Sequence, residues 1–174
     1  MLKKLLKDIH YIILPLSMIA WLSSCIDPTT TANPKKVVLS MANALAKKYP
    51  NTPLIEVKDL LLLEKDILLV DVREKKEIDV SVIPGSMTQA QFEKNKDQYR
   101  NKTIVPYCTI GLRSTLYTNK LINEGFKAKN LKGGVLSFAH AGRKFIKDGK
   151  ETTRVHVYSE AWNLVPKPYQ GIFE

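Results

Sequence analysis

Residues 103–114 read TIVPYCTIGLRS. The apolar run 103–107 predicts a buried strand, and a helical pattern starts at Ser114. The segment between them is a short strand-to-helix loop holding Cys108, Gly111 and Arg113, with six residues from Cys108 to Arg113. Such a loop turns successive backbone N–H groups inward, and the helix N-terminus adds positive potential at the same place. Gly111 admits backbone conformations closed to other residues. Arg113 adds a fixed cation with two parallel donors. An anion is welcome there, and a thiolate is an anion, so Cys108 reads as a poised nucleophile beside an anion site. Taken alone, the pattern also fits a buried structural cysteine.

Working outward, Leu54–Val57 is a short strand candidate and Lys58–Lys65 a leucine-rich helix. Residues 67–71, ILLVD, form a continuous apolar run ending in an acid, as buried parallel strands do. Residues 88–100 read as a helix with Phe92 inward. Ser114–Asn123 is a helix ended by Gly125. Ala128–Leu131 is a third strand, followed by Gly133, Gly134 and a helix to about Ala141. Alternation of strand and helix means an α/β domain with a mainly parallel sheet. Ligands in such sheets sit at the C-terminal ends of strands, where Cys108 lies. Pro106 removes a ladder donor, so it belongs at its strand's end, next to the loop.

Four segments recur with a meaningful order. Asp71-Val72-Arg73-Glu74 closes one strand, and Ile83-Pro84-Gly85-Ser86 follows it. Cys108–Ser114 has the form Cys-x-x-Gly-x-Arg-Ser, and Leu131-Lys132-Gly133-Gly134 closes the next strand. Together they resemble the single-domain rhodanese family of sulfurtransferases, over roughly residues 53–150. The resemblance implies a rhodanese-like α/β fold, a mainly parallel five-stranded sheet flanked by helices on both faces. It implies that Cys108 takes a sulfane sulfur from a small anionic donor such as thiosulfate. Cys108 then carries it as a persulfide and yields it to a thiophilic acceptor, cyanide or a thiol. Cys108 and Arg113 would be catalytic. The loop from Thr109 through Ile110, Gly111, Leu112 and Arg113 to Ser114 would hold the donor and the persulfide. Asp71, Arg73, Gly133 and Gly134 would support the site. No metal or organic cofactor is expected; His140 and His156 have no cysteine or acid at ligand spacing in the sequence.

The six-residue loop favours sulfur transfer over the seven-residue loop of the related phosphatases and arsenate reductases. A non-turnover binding module and a redox or sulfur-sensing domain remain alternative expectations. The sequence departs from the family pattern at Val82, where histidine is frequent, and at Phe138, where tryptophan is common. Thr109 and Ile110 make the loop less basic than in strongly thiosulfate-active members, so thiosulfate is expected to be a poorer donor.

The chain has 174 residues, a formal charge of +10 and two cysteines. That composition excludes a disordered chain, a disulfide-rich scaffold and a four-thiolate zinc site. Residues 1–10 carry Lys3, Lys4 and Lys7, and residues 11–22 are uncharged and mostly apolar. This is a secretory signal pattern, too short for a spanning helix. It ends in Leu22-Ser23-Ser24-Cys25, which resembles the bacterial lipobox. The resemblance implies removal of 1–24, lipid attachment at Cys25, and a place in the bacterial cell envelope. There the protein would be membrane-bound through lipid on the periplasmic side, with Ile26 favouring the outer membrane. Removing 1–24, with three lysines and one aspartate, leaves 150 residues and a charge of +8.

Residues 25–36 read as lipidated cysteine and flexible tether, 37–52 as a helical extension, 53–150 as the domain, and 151–174 as a C-terminal extension packed on it. The lysines are scattered rather than clustered, so nucleic-acid binding is not expected. A monomer is expected. With Cys25 consumed by lipid, the two cysteines do not pair, and sulfur on Cys108 must leave to an external acceptor.

Overall fold

The computed structural model describes residues 33–60, 62 and 66–173. The signal segment, Cys25 and the tether up to residue 32 lie outside them, as do residues 61 and 63–65 of the expected Lys58–Lys65 helix.

Five short parallel strands build the central sheet. They are β1 (Leu54–Ile55), β2 (Ile67–Asp71), β3 (Met87–Thr88), β4 (Thr103–Tyr107) and β5 (Asn130–Leu131). β2 lies between β3 and β4, and β5 pairs with β1. The two groups meet at one parallel bridge, Ile104 to Ala128. The order across the sheet is therefore β3-β2-β4-β5-β1. The apolar runs 67–71 and 103–107 form strands with the predicted bounds and pair along their whole length.

The alternating pleat of β4 divides the core. Ile104 faces a cluster with Val70, Phe92, Tyr117, Leu121 and Phe126, under α4 (Gln89–Asn95) and α5 (Leu112–Asn123). Val105 and Tyr107 face the opposite cluster, which includes Val38 of α1 (Pro34–Lys48), and Val135 and Leu136 of α6 (Gly134–His140). Two four-residue helices, α2 (Val57–Leu60) and α3 (Lys75–Ile78), follow β1 and β2. Helices cover both faces, as the resemblance implied.

Pro106 is the penultimate residue of β4. In β4, Ile104 N–H donates toward the β5 side, to Lys127 O, whereas Thr103 N–H donates toward β2, to Asp66 O. Alternation places the absent Pro106 donor on the β5 side, which accounts for a ladder reduced to one bridge there.

Several expected boundaries move. The tether does not reach residue 36, because α1 starts at Pro34. The Asn33 side chain accepts from Lys35 N–H at 3.0 Å and Lys36 N–H at 3.4 Å, and a proline at N1 has its φ preset for a helix. The expected helix 88–100 is α4 followed by a 3₁₀ turn, Lys96–Tyr99. The boundary expected between residues 150 and 151 falls inside β7 (Lys150–Thr152), which pairs antiparallel with β6 (Phe145–Lys147). Beyond it, β8 (Arg154–His156) and β9 (Gln170–Ile172) pair in parallel. Val155 and Val157 are fully buried, and Tyr169 packs edge-on against Phe145 at 6.0 Å. The C-terminal extension is thus packed into the core.

Candidate active site

Tyr107 is where the separated sequence segments meet. It ends β4 with its side chain fully buried. Its Oη accepts from Ile83 N–H at 3.2 Å and shares a hydrogen bond of 2.8 Å with Ser86 Oγ, which ties down the 83–86 turn. Burial pushes its hydroxyl well above the usual range, and the charge of Asp71 adds to this. The Arg73 guanidinium lies 5.6 Å from the Tyr107 ring centre.

Asp71 and Arg73 form a buried fork. Arg73 Nε donates to Asp71 Oδ1 at 2.8 Å, and Nη2 donates to Oδ2 at 2.6 Å. Nη2 also donates to Ser81 O at 2.7 Å. The fork fixes the end of β2 to the chain leading into residue 83.

The loop follows directly. Cys108 is 2% exposed. Gly111 N–H donates to Cys108 Sγ at 3.2 Å, and Ser114 Oγ donates to it at 3.5 Å. Gly111 has a φ of +119°, and α5 begins at the next residue, so the sulfur sits at a helix start.

Gly134 sets the loop's other side. A Cβ there would come within 2.1 Å of Cys108 O, so only glycine allows this approach. Val135 N–H donates to Cys108 O at 3.0 Å, and Leu136 N–H to Thr109 O at 3.2 Å. The first turn of α6 makes this close approach. Because peptide planes are rigid and trans, turning those two carbonyls to α6 turns the N–H groups of Thr109 and Ile110 away from it. At Gly133, with φ +75°, a Cβ would collide with Ser137 Oγ at 1.9 Å. The Ile110 side chain is buried in the core, while Leu112 is exposed.

Arg113 reaches a partner that sequence reasoning missed. Its Nη1 donates to Glu77 Oε2 at 2.5 Å and its Nη2 to Glu77 Oε1 at 2.8 Å. Thr109 Oγ1 donates to Glu77 Oε1 at 3.0 Å, and Glu74 N–H donates to Oε2 of the same carboxylate at 3.0 Å. Glu77 is 1% exposed. Burial alone would raise its pKa, but the Arg113 fork and the Glu74 and Thr109 donors outweigh burial and hold it at about 2. Hydrogen bonding to Glu77 holds the Arg113 guanidinium above its ordinary pKa. Burial opposes this, and the Cys108 sulfur adds to the attraction. Glu77 is one of three acids in the run 73–79, REKKEID. Its placement three residues after Glu74, as N3 of a short capped helix, was the available signal.

Asn130 was also missed. Its Nδ2 donates to Gly111 O at 3.1 Å and to Thr115 Oγ1 at 2.7 Å, fastening the loop to β5. Nothing in the stretch 128–131, AKNL, marks it for this role.

Residues 54–141 match the family described as "Rhodanese-like domain". A tRNA uridine(34) hydroxylase of Ruegeria pomeroyi is 32% identical over 88 residues, covering 45% of this chain and 29% of that protein. A tRNA sulfurtransferase of Desulfurococcus amylolyticus is 34% identical over 73 residues, covering 42% of this chain and 15% of that protein. The chain thus matches under a third of either relative's length. The thiosulfate sulfurtransferase of Pseudomonas aeruginosa shares the fold. Its crystal structure aligns with a TM-score of 0.51 at 23% identity, over 65% of this chain and 23% of that one. The motifs that meet at Tyr107 and Cys108 fall within the matched residues, and the chain belongs to the rhodanese-like, sulfur-transfer-related family.

Proposed function

We propose that the protein is a sulfurtransferase that works through a persulfide on Cys108. The observation carrying this reading is the Gly111 N–H aimed at Cys108 Sγ at 3.2 Å, within a six-residue loop at the start of α5. The Cys108 thiolate attacks the outer sulfur of thiosulfate or another sulfane donor. A new S–S bond forms, the old one breaks, and sulfite leaves with the bonding pair. The persulfide anion stays among the loop amides. A thiolate or cyanide then takes the outer sulfur, and the Cys108 thiolate returns. These are two half-reactions with ping-pong kinetics. Arg113 receives the donor's anionic end, and Thr109 to Ser114 line the place it occupies.

We further propose that Cys25, at the end of the Leu22–Cys25 segment, carries lipid that holds the protein in the bacterial envelope on the periplasmic side. The domain acts as a monomer, without nucleic acid.

Intact mass after incubation with thiosulfate, then with a polysulfide, tests the chemistry. One added sulfur on the wild type and none on Cys108→Ser is the expected result. No adduct from either donor overturns the proposal. Cys25→Ala is expected to release the protein from membranes, and retention there would overturn the anchoring.

A further inference from the structure

β8 lies outside the family match, which ends at residue 141, yet it runs beside the carboxylate that grips Arg113. Ser81 Oγ donates to Arg154 O at 2.6 Å, joining β8 to the segment that Arg73 holds. Val155 is buried in the same cluster as Tyr107 and Ile110. His156 is 2% exposed, and its Nδ1 stands 3.8 Å from Glu77 Oε1. Tyr158 N–H donates to His156 Nδ1 at 3.2 Å. Tyr158 has a φ of +73°, a left-handed backbone that is strained for an aromatic residue. Strain of this sort persists where surrounding structure demands it.

We propose that His156 is a positioning residue for the Cys108 site. Its ring closes the remaining side of Glu77 and thereby sets Glu77, Arg113 and Thr109 for an anionic donor. This rests on the sulfurtransferase reading. The oxygens of Glu77 already accept from Arg113, Thr109 and Glu74. A ring beside them keeps water away, and a charged pair shielded from water is held more firmly than a hydrated one. Without the ring, water reaches Glu77 and the Arg113 fork loosens. An incoming anion then meets a cation without a fixed direction.

The test uses the full chain carrying His156→Ala, with thiosulfate as donor and cyanide as acceptor. The expected result is a KM for thiosulfate raised about fivefold, with kcat changed less than about twofold. In a Glu77→Gln background the same substitution should have no further effect on KM, because the two residues act as a unit. An unchanged KM, or an equal effect in both backgrounds, overturns the proposal. His156→Asn keeps an acceptor for Tyr158 N–H and serves, with the same expected shifts, if the alanine variant does not fold.

A second readout needs no turnover: the rate of Cys108 alkylation by anionic iodoacetate relative to neutral iodoacetamide. The ratio should fall in the His156 variant, as the ordered cation is lost. A fall in a protein that never acquires sulfur would sink the sulfurtransferase reading and keep the positioning role. An unchanged ratio overturns the positioning role whatever the turnover.

Discussion

Asp71–Arg73 and Glu77–Arg113 are both two-bond forks between an arginine and a carboxylate, six residues apart on the acid side. In the first, both side chains are sealed, at 0% and 1% exposure. In the second, Glu77 is sealed at 1% but Arg113 is 34% exposed. A sealed fork has nowhere else to send its guanidinium and acts as a brace between β2 and the 81–86 segment. A half-open fork keeps its carboxylate fixed and one side of its guanidinium free to meet an anion. The same chemical pair is thus closed on both sides in one place and open on its arginine side in the other, and only the open one suits the anion-binding part proposed for Arg113.

The sharpest way to break this contrast is Arg73→Ala. It leaves Asp71 as an uncompensated buried charge, and about 3–5 kcal/mol of stability should be lost in urea unfolding. A loss below about 1 kcal/mol would remove the brace from the account.

Gly134→Ala touches neither fork but drives a Cβ into Cys108 O. It should cost about 1–3 kcal/mol and slow sulfur loading, read by mass at fixed times. Normal loading would show that loop placement by α6 is not needed.

Arg113→Lys keeps the charge and loses the fork. Stability should fall little, while the KM for thiosulfate rises roughly tenfold, or about 1.4 kcal/mol. A stability loss as large as that of Arg73→Ala would make the two forks equivalent.

The last effect is in acid. Glu77 titrates at about 2 against an ordinary 4.5. A lowered pKa contributes stability that is full above the ordinary value and is lost as pH falls through the folded one. Unfolding midpoints measured between pH 5 and pH 2 should therefore fall less steeply for Glu77→Gln than for the wild type. Parallel curves would mean that Glu77 carries no such linkage.

The parts legible in sequence were those where local pattern and tertiary role coincide. β2 and β4 are apolar on both faces because they are buried on both faces, so their bounds were plain. Cys108, Gly111 and Arg113 declared themselves because strand end, glycine and helix start are adjacent. Glu77 stayed hidden because its partner lies 36 residues away on another element. His156 stayed hidden because the fold, not spacing, brings Glu77 to it. The start of α1 was written in Asn33-Pro34, a cap and a first-turn proline, but the threonine-rich stretch before it obscured the signal.

The missing donor of Pro106 has a mechanical consequence. A five-residue ladder joins β2 to β4, whereas β4 and β5 share a single bridge, so the sheet has a seam under the reactive loop. The loop straddles it. On one side Tyr107 O accepts from Val72 N–H; on the other, Gly111 O accepts from Asn130, and Cys108 O from Val135. The loop is a clasp across the seam. A pull applied along β4 against β5 would be resisted by the clasp as well as by the single bridge.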